Sequence, residues 1–157
     1  MKKNSLDISA SIKWLESGKI LIHPTESIWG LGCDAFNKKA VENIFAIKKR
    51  DQKKSFILLC ESLDFLKEYA DKIAKEDEIL LNETWPGAVT FLVKYNNKLP
   101  EHLKTSSGKI AVRVSNHLPL KLLISGFKSF MVSTSANLSG EDVFDNPDAI
   151  LDFFESD

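Results

Sequence analysis

Lys48, Arg50 and Lys54, three of the five cations between 48 and 54, stand just ahead of the apolar run Phe56-Ile57-Leu58-Leu59. An arginine offers a planar fork that takes a phosphate through two hydrogen bonds, and a lysine offers a compact point charge, so a convergent set suits a polyanion. Taken alone, a charge run at a helix end is ordinarily a solvated face. Two further segments change its setting. Pro24-Thr25-Glu26-Ser27 follows an earlier apolar run, and Ser133-Thr134-Ser135-Ala136-Asn137 follows a later one. The second is dense in hydroxyls and carries an amide, groups that present donors to an anion or nucleotide and that also serve as helix caps. Together the three segments predict a triphosphate site. Arg113, the one cation of Ala111-Val112-Arg113-Val114, requires a partner if buried, and the choices are Glu26 or a substrate carboxylate.

The elements that must position these residues follow from periodicity. Leu6, Ile8, Ile12, Trp14 and Leu15 recur at helical spacing up to Gly18, and Lys19 to His23 is a short strand ended by Pro24. Thr25 to Gly32 reads as a loop or strand end. Ala40, Val41, Ile44, Phe45 and Ile47 mark a second helix that runs into Lys48, and Phe56 to Cys60 has the length of a buried strand. Helical pieces then cover Leu63 to Tyr69 and Ile73 to Leu81. The rigid turn Trp85-Pro86-Gly87 leads into a strand over Val89 to Tyr95, and Gly108 precedes another over Ile110 to Val114. A helix over Leu118 to Ile124, a strand over Phe130 to Ser133 and a helix over Asp148 to Phe154 complete the pattern. It predicts one α/β domain around a mostly buried sheet. In such sheets ligands sit outside the carboxyl ends of strands, where the hydroxyl-rich segment is expected to leave its strand.

Composition narrows the class. The 157 residues are one domain's worth, with 43% hydrophobic and 27% charged residues and a net charge of −1, so no basic surplus advertises nucleic acid. Cys33 and Cys60 have neither disulfide-framework nor zinc spacing and are expected to be buried thiols. No histidine stands at metal-ligand spacing, so no protein metal ligands are assigned. The stretch Met1-Lys2-Lys3-Asn4-Ser5 leads into an amphipathic segment, and no run of ~18 apolar residues occurs, which predicts a cytoplasmic protein without a membrane span.

Five segments in this order and spacing resemble the YrdC/Sua5 family. They are Pro24-Thr25-Glu26-Ser27-Ile28-Trp29-Gly30-Leu31-Gly32-Cys33-Asp34, Lys48-x-Arg50 with Lys54, Trp85-Pro86-Gly87-x-x-Thr90, Ala111-Val112-Arg113-Val114 and Ser133-Thr134-Ser135-Ala136-Asn137-x-Ser139-Gly140. The likeness is to the short bacterial form, the threonylcarbamoyladenylate synthases. It implies a single YrdC-like domain over 1–157, a twisted, open, mixed β-sheet flanked by helices with a concave ligand groove. It further implies a reaction of L-threonine, bicarbonate or CO2, and ATP that gives threonylcarbamoyl-AMP and pyrophosphate. Carried over residue by residue, Lys48, Arg50 and Lys54 fall on the phosphates and Ser133, Ser135 and Asn137 on the nucleotide. Thr25, Ser27 and Arg113 fall on threonine, and Mg2+ is expected through ATP oxygens. tRNA and the tRNA threonylcarbamoyl transferase machinery are the implied partners. An RNA-binding module, or an inactive relative, is the competing reading, and the net charge of −1 favours the enzyme. Ser27, Trp29 and Leu59 depart from residues common in the family, and the chain ends sooner than its short form usually does.

Overall fold

A computed structural model describes residues 6–155, so Met1 to Ser5 and the final Ser156 and Asp157 lie outside the described residues. Six strands form one sheet in the order β1-β2-β6-β3-β5-β4, with β1 Leu21–His23, β2 Gly30–Asp34, β3 Ile57–Leu59, β4 Phe91–Lys94, β5 Lys109–Arg113 and β6 Met131–Ser135. Only β3 and β5 pair in parallel among these neighbours, which makes the sheet mixed, as the resemblance implies.

Six helices cover the sheet: α1 Ile8–Glu16, α2 Lys38–Ile47, α3 Leu63–Lys67, α4 Lys75–Thr84, α5 Leu118–Phe127 and α6 Pro147–Glu155. Local chemistry starts several of them. Asp7, Asn37 and Ser62 each accept a hydrogen bond from the backbone N–H three residues on, which satisfies a donor that the first helical turn leaves unpaired. Side-chain alternation along the strands then sorts the two faces. Val132, Leu58 and Val112 point to a core shared with Val41 and Ile44 of α2, Leu66 of α3 and Leu81 of α4. Met131 and Leu59 point the other way, to Leu15 of α1 and to Leu120, Leu123, Ile124 and Phe127 of α5. Cys33 and Cys60 are buried free thiols, as expected, and burial pushes both up to about 12.

Two strands differ from the sequence reading. Gly30 to Gly32, expected within a loop or strand end, belong to the interior strand β2, and β6 continues through Ser135, so Ser133 to Ser135 lie inside the sheet. Two glycines depress strand propensity at β2, but here their missing side chains are what the packing needs. The ring of His23 is fully buried against this strand: a Cβ at Gly30 would sit 2.7 Å from its Cε1, and one at Gly32 would sit 3.1 Å from its Nε2.

Burial holds the His23 imidazole down at about 4, so it is neutral near pH 7. The unfolded chain therefore takes up a proton as pH falls from the ordinary imidazole value of 6.5 to about 4, while the folded one does not. Stability should fall as pH drops through that window, by on the order of 3 kcal/mol. Urea unfolding at pH 6.5 and 4.5 checks this, with His23→Phe expected to lose distinctly less than the parent.

Candidate active site

On the α1 and α5 side of the sheet the helices leave one region open, and a cavity of about 360 Å³ occupies it. Its floor is sheet: Gly30 of β2, Ile57 of β3, Arg113 of β5 and Ser133, Thr134 and Ser135 of β6. Thr25, Ser27, Ile28 and Trp29 of the β1–β2 connection wall one side, and Arg50, Ser55 and Phe56 wall another. The structure thus gathers six of the nine expected site residues, Thr25, Ser27, Arg50, Arg113, Ser133 and Ser135, in one cleft. Among the described residues no carboxylate lines it.

How Arg50 reaches the cleft follows from the end of α2. The Arg50 N–H donates to Phe45 O at 3.0 Å and the Lys49 N–H to Ala46 O at 3.1 Å, while Lys49 itself is left-handed at φ 48°. This is the Schellman pattern of helix termination, in which one αL residue reverses the chain and satisfies two orphan carbonyls. A lysine in αL costs more than a glycine there. The reversal sends Lys48 inward and brings Arg50 out. Arg50 then donates from Nη2 to Ser55 O at 2.9 Å and lies 5.0 Å from the centre of the Phe56 ring, so it alone of the three expected cations lines the cleft. Its Nε is buried without a hydrogen-bond partner.

Three expected residues stand elsewhere. Lys54 is exposed and lines a neighbouring cavity of about 400 Å³ with Lys53, Phe45 and Thr105; Ser55 and Phe56 line both cavities. Lys48 is only 1% exposed, and its Nζ donates to Ser135 O and Asn137 O, each at 2.6 Å, and to Asn137 Oδ1 at 3.2 Å. Asn137 is also buried: its Oδ1 accepts from Ser135 Oγ at 2.6 Å and its Nδ2 donates to Glu141 O at 2.5 Å. The polar atoms of Lys48 and Asn137 therefore face each other behind the wall, and not the cleft.

At the other end, Arg113 donates from Nε to Thr90 Oγ1 at 3.0 Å. Glu26, one of its two candidate partners, instead accepts from Ser115 Oγ at 2.5 Å, and no ion pair joins it to Arg113 among the described residues. Partial burial opposes ionisation of Glu26, and the Ser115 and backbone hydrogen bonds favour it. Together with the nearby Arg113 guanidinium, these bonds hold the carboxyl below its usual range. Thr25 shapes the turn it belongs to, donating to Ile28 O at 2.5 Å and accepting from the Ser27 and Ile28 N–H groups. On the same face, over the glycines of β2, His23 Nδ1 lies 3.1 Å from Pro24 O and Nε2 lies 3.5 Å from Ser133 Oγ.

Sequence reasoning gave no role to Thr90, Ser115 or His23. Thr90 carries a readable signal. The Trp85-Pro86-Gly87 turn, tied down by Gly87 N–H to Val114 O at 2.8 Å, leads the chain into β4 beside β5. Phe91 pairs with Val112, so Thr90 falls opposite Arg113. His23 carries no such signal, because its burial depends on two glycines in a strand that propensity disfavours.

This geometry has known counterparts. The family model Sua5_yciO_yrdC, described as telomere recombination, matches residues 13–157. The threonylcarbamoyl-AMP synthase of Pseudoalteromonas translucida is 40% identical over 136 residues, covering 85% of this chain and 73% of that protein. Among solved structures, an H234A/Y235A form of P. abyssi Sua5 is similar with TM-score 0.85 at 28% identity, over 95% of this chain and 46% of that one. P. abyssi Sua5 complexed with L-threonine gives 0.84 at 28% identity, over 92% of this chain and 43% of that one. The chain thus spans about three quarters of the curated relative and less than half of the Sua5 chains. The segments that build the cleft, from Thr25 to Ser135, fall within the matched residues, and the chain belongs to the Sua5/YciO/YrdC family.

Proposed function

We propose that this chain is a threonylcarbamoyl-AMP synthase, a nucleotidyltransferase that consumes L-threonine, bicarbonate or CO2, and ATP. The observation that carries this reading is the cleft itself. Two guanidinium groups, Arg50 and Arg113, line one carboxylate-free cavity otherwise rich in hydroxyls, which suits two anionic substrates side by side. Threonylcarbamoyl-AMP synthase as the name of a relative 40% identical, and L-threonine bound to a Sua5 of the same fold, support the choice of substrates.

In this reaction the threonine amine condenses with bicarbonate to a carbamate, with loss of water. A carbamate oxygen then attacks the α-phosphorus of ATP, and the bond to the departing pyrophosphate breaks. The protein's task is alignment and charge neutralisation. Arg50 serves the phosphates from beside Phe56, with Lys54 assisting from across Ser55. Ser133 and Ser135 stand at the nucleotide and its α-phosphate. Arg113, its Nε held by Thr90, has its remaining N–H groups for the threonine carboxylate, and Thr25 and Ser27 line the amino-acid and carbamate end. Magnesium fits as an ion that enters on ATP oxygens, neutralising phosphate charge, since no carboxylate lines the cleft to cage it. The product is a mixed anhydride, and the tRNA threonylcarbamoyl transferase machinery is the partner it implies.

Arg50→Ala should raise the ATP concentration for half-maximal turnover by roughly 10- to 100-fold, the loss of one or two charge-assisted hydrogen bonds. Lys54→Ala should raise it less, because Lys54 lines the neighbouring cavity. The assignment is tested by pyrophosphate release with threonine and bicarbonate omitted in turn. Release that requires both supports it, and release indifferent to threonine overturns it.

A further inference from the structure

We propose that Lys48 is a positioning residue that builds the Ser135–Asn137 wall of the cleft, and that it is not a ligand of the phosphates. The inference rests on the synthase reading for what the wall contacts. Its structural part stands on geometry alone. An ammonium has three N–H donors, and Lys48 spends them on Ser135 O, Asn137 O and Asn137 Oδ1. The backbone adds a bond in the opposite direction, from Ser139 N–H to Lys48 O at 3.2 Å. One buried side chain thereby ties the end of α2, the end of β6 and the turn before Ser139 into a single unit. Ala136 N–H, donating to Trp29 O at 3.0 Å, fastens the same turn to the β1–β2 connection.

The paired spacings of the two motifs follow from this arrangement. In Lys48-x-Arg50 the left-handed Lys49 reverses the chain, so the first cation points into the protein and the second into the cleft. In Ser135-x-Asn137 both carbonyls converge on the buried amine, while Ser135 also lines the cleft. For Nζ to bond a phosphate it would have to give up all three acceptors, leaving Ser135 O with the Asn137 N–H, Asn137 Oδ1 with the Ser135 hydroxyl, and the Asn137 carbonyl without its Lys48 donor, a cost no exposed lysine bears. Burial, together with the charge of Arg50, brings the Lys48 ammonium down to about 8, so near neutral pH it keeps the third proton that the third acceptor uses.

Two arms test this. In the first, the wild-type protein is treated with an amine-acetylating reagent with and without ATP, and each lysine is followed by mass spectrometry. Lys48 should react at least ~10-fold more slowly than exposed Lys54, and ATP should not change its rate. In the second, Lys48→Met and Lys48→Gln are compared with the parent by amide exchange of the free proteins and by pyrophosphate release. Amides over 135–141 should exchange on the order of tenfold faster or more. Half-saturation by ATP should rise on the order of tenfold, while that by threonine, set at the Arg113 end, stays within about twofold. Ready acetylation of Lys48 that ATP suppresses would overturn the proposal, as would variants that lose ATP with the 135–141 amides unchanged. Should one variant fail to fold, acetylation of the parent still decides. If wild type releases no pyrophosphate, the synthase reading is what has failed, and acetylation and exchange still report on Lys48.

Discussion

Arg113→Lys is expected to raise the threonine concentration for half-maximal pyrophosphate release by roughly 10- to 100-fold, and to move half-saturation by ATP by less than about threefold. Thr90 Oγ1 takes the Nε proton of Arg113 at 3.0 Å, which fixes the plane of the guanidinium. A carboxylate can then be met by two parallel N–H groups. Lysine keeps the positive charge but offers a single flexible point in place of the fork, and it has no Nε for Thr90 to hold. The substitution therefore separates geometry from charge. Thr90→Val should shift threonine half-saturation in the same direction by a smaller factor, since the fork survives without its support. Threonine titrations of pyrophosphate release measure both, and unchanged threonine dependence in Arg113→Lys would remove the carboxylate contact from the account.

Gly32→Ala is expected to cost about 2–3 kcal/mol of folding stability, or roughly 5–10 °C in Tm. The added Cβ would lie 2.9 Å from Val132 O on the paired strand β6, and 3.1 Å from both Cδ2 and Nε2 of His23. A backbone carbonyl inside a sheet cannot swing aside as a surface side chain does. At Gly30 the nearest obstacle differs: His23 Cε1 at 2.7 Å and Nε2 at 2.9 Å come before Thr134 O at 3.2 Å. His23→Ala should therefore relieve much of the cost of Gly30→Ala and little of that of Gly32→Ala. Thermal unfolding of the three singles and two doubles gives the comparison. Because Gly32 pairs with Ser133 and Gly30 with Ser135, the same strain would also displace the hydroxyls of the cleft floor.

The contrast between these two sites shows what the sequence made legible. Arg113 could be singled out because a cation in an apolar strand demands a partner, and one of the two candidates proposed for it, Glu26, turns out to bond Ser115 instead. The helices and most strands followed from periodicity, since α2 and β3 show their apolar faces openly. Strand β2 did not, because Gly-Leu-Gly-Cys-Asp has weak strand propensity and becomes a strand only when β1 and β6 pair with it and His23 fills the space above its glycines. The cation cluster was legible as a group but not in its directions. Whether Lys48 faces a ligand or three carbonyl-type acceptors depends on the left-handed Lys49 and on a partner segment 87 to 89 residues away. Local pattern carries no information about either.

The identity of the nucleotide product decides whether the chain is a synthase. The protein is incubated with ATP, magnesium, L-threonine and ¹³C-labelled bicarbonate, and the nucleotides are resolved by mass spectrometry. The expected product is an adenylate that carries threonine and one ¹³C carbon, formed with pyrophosphate and absent when threonine is omitted. Only AMP or ADP, with no labelled threonine adduct at any time point, would contradict it.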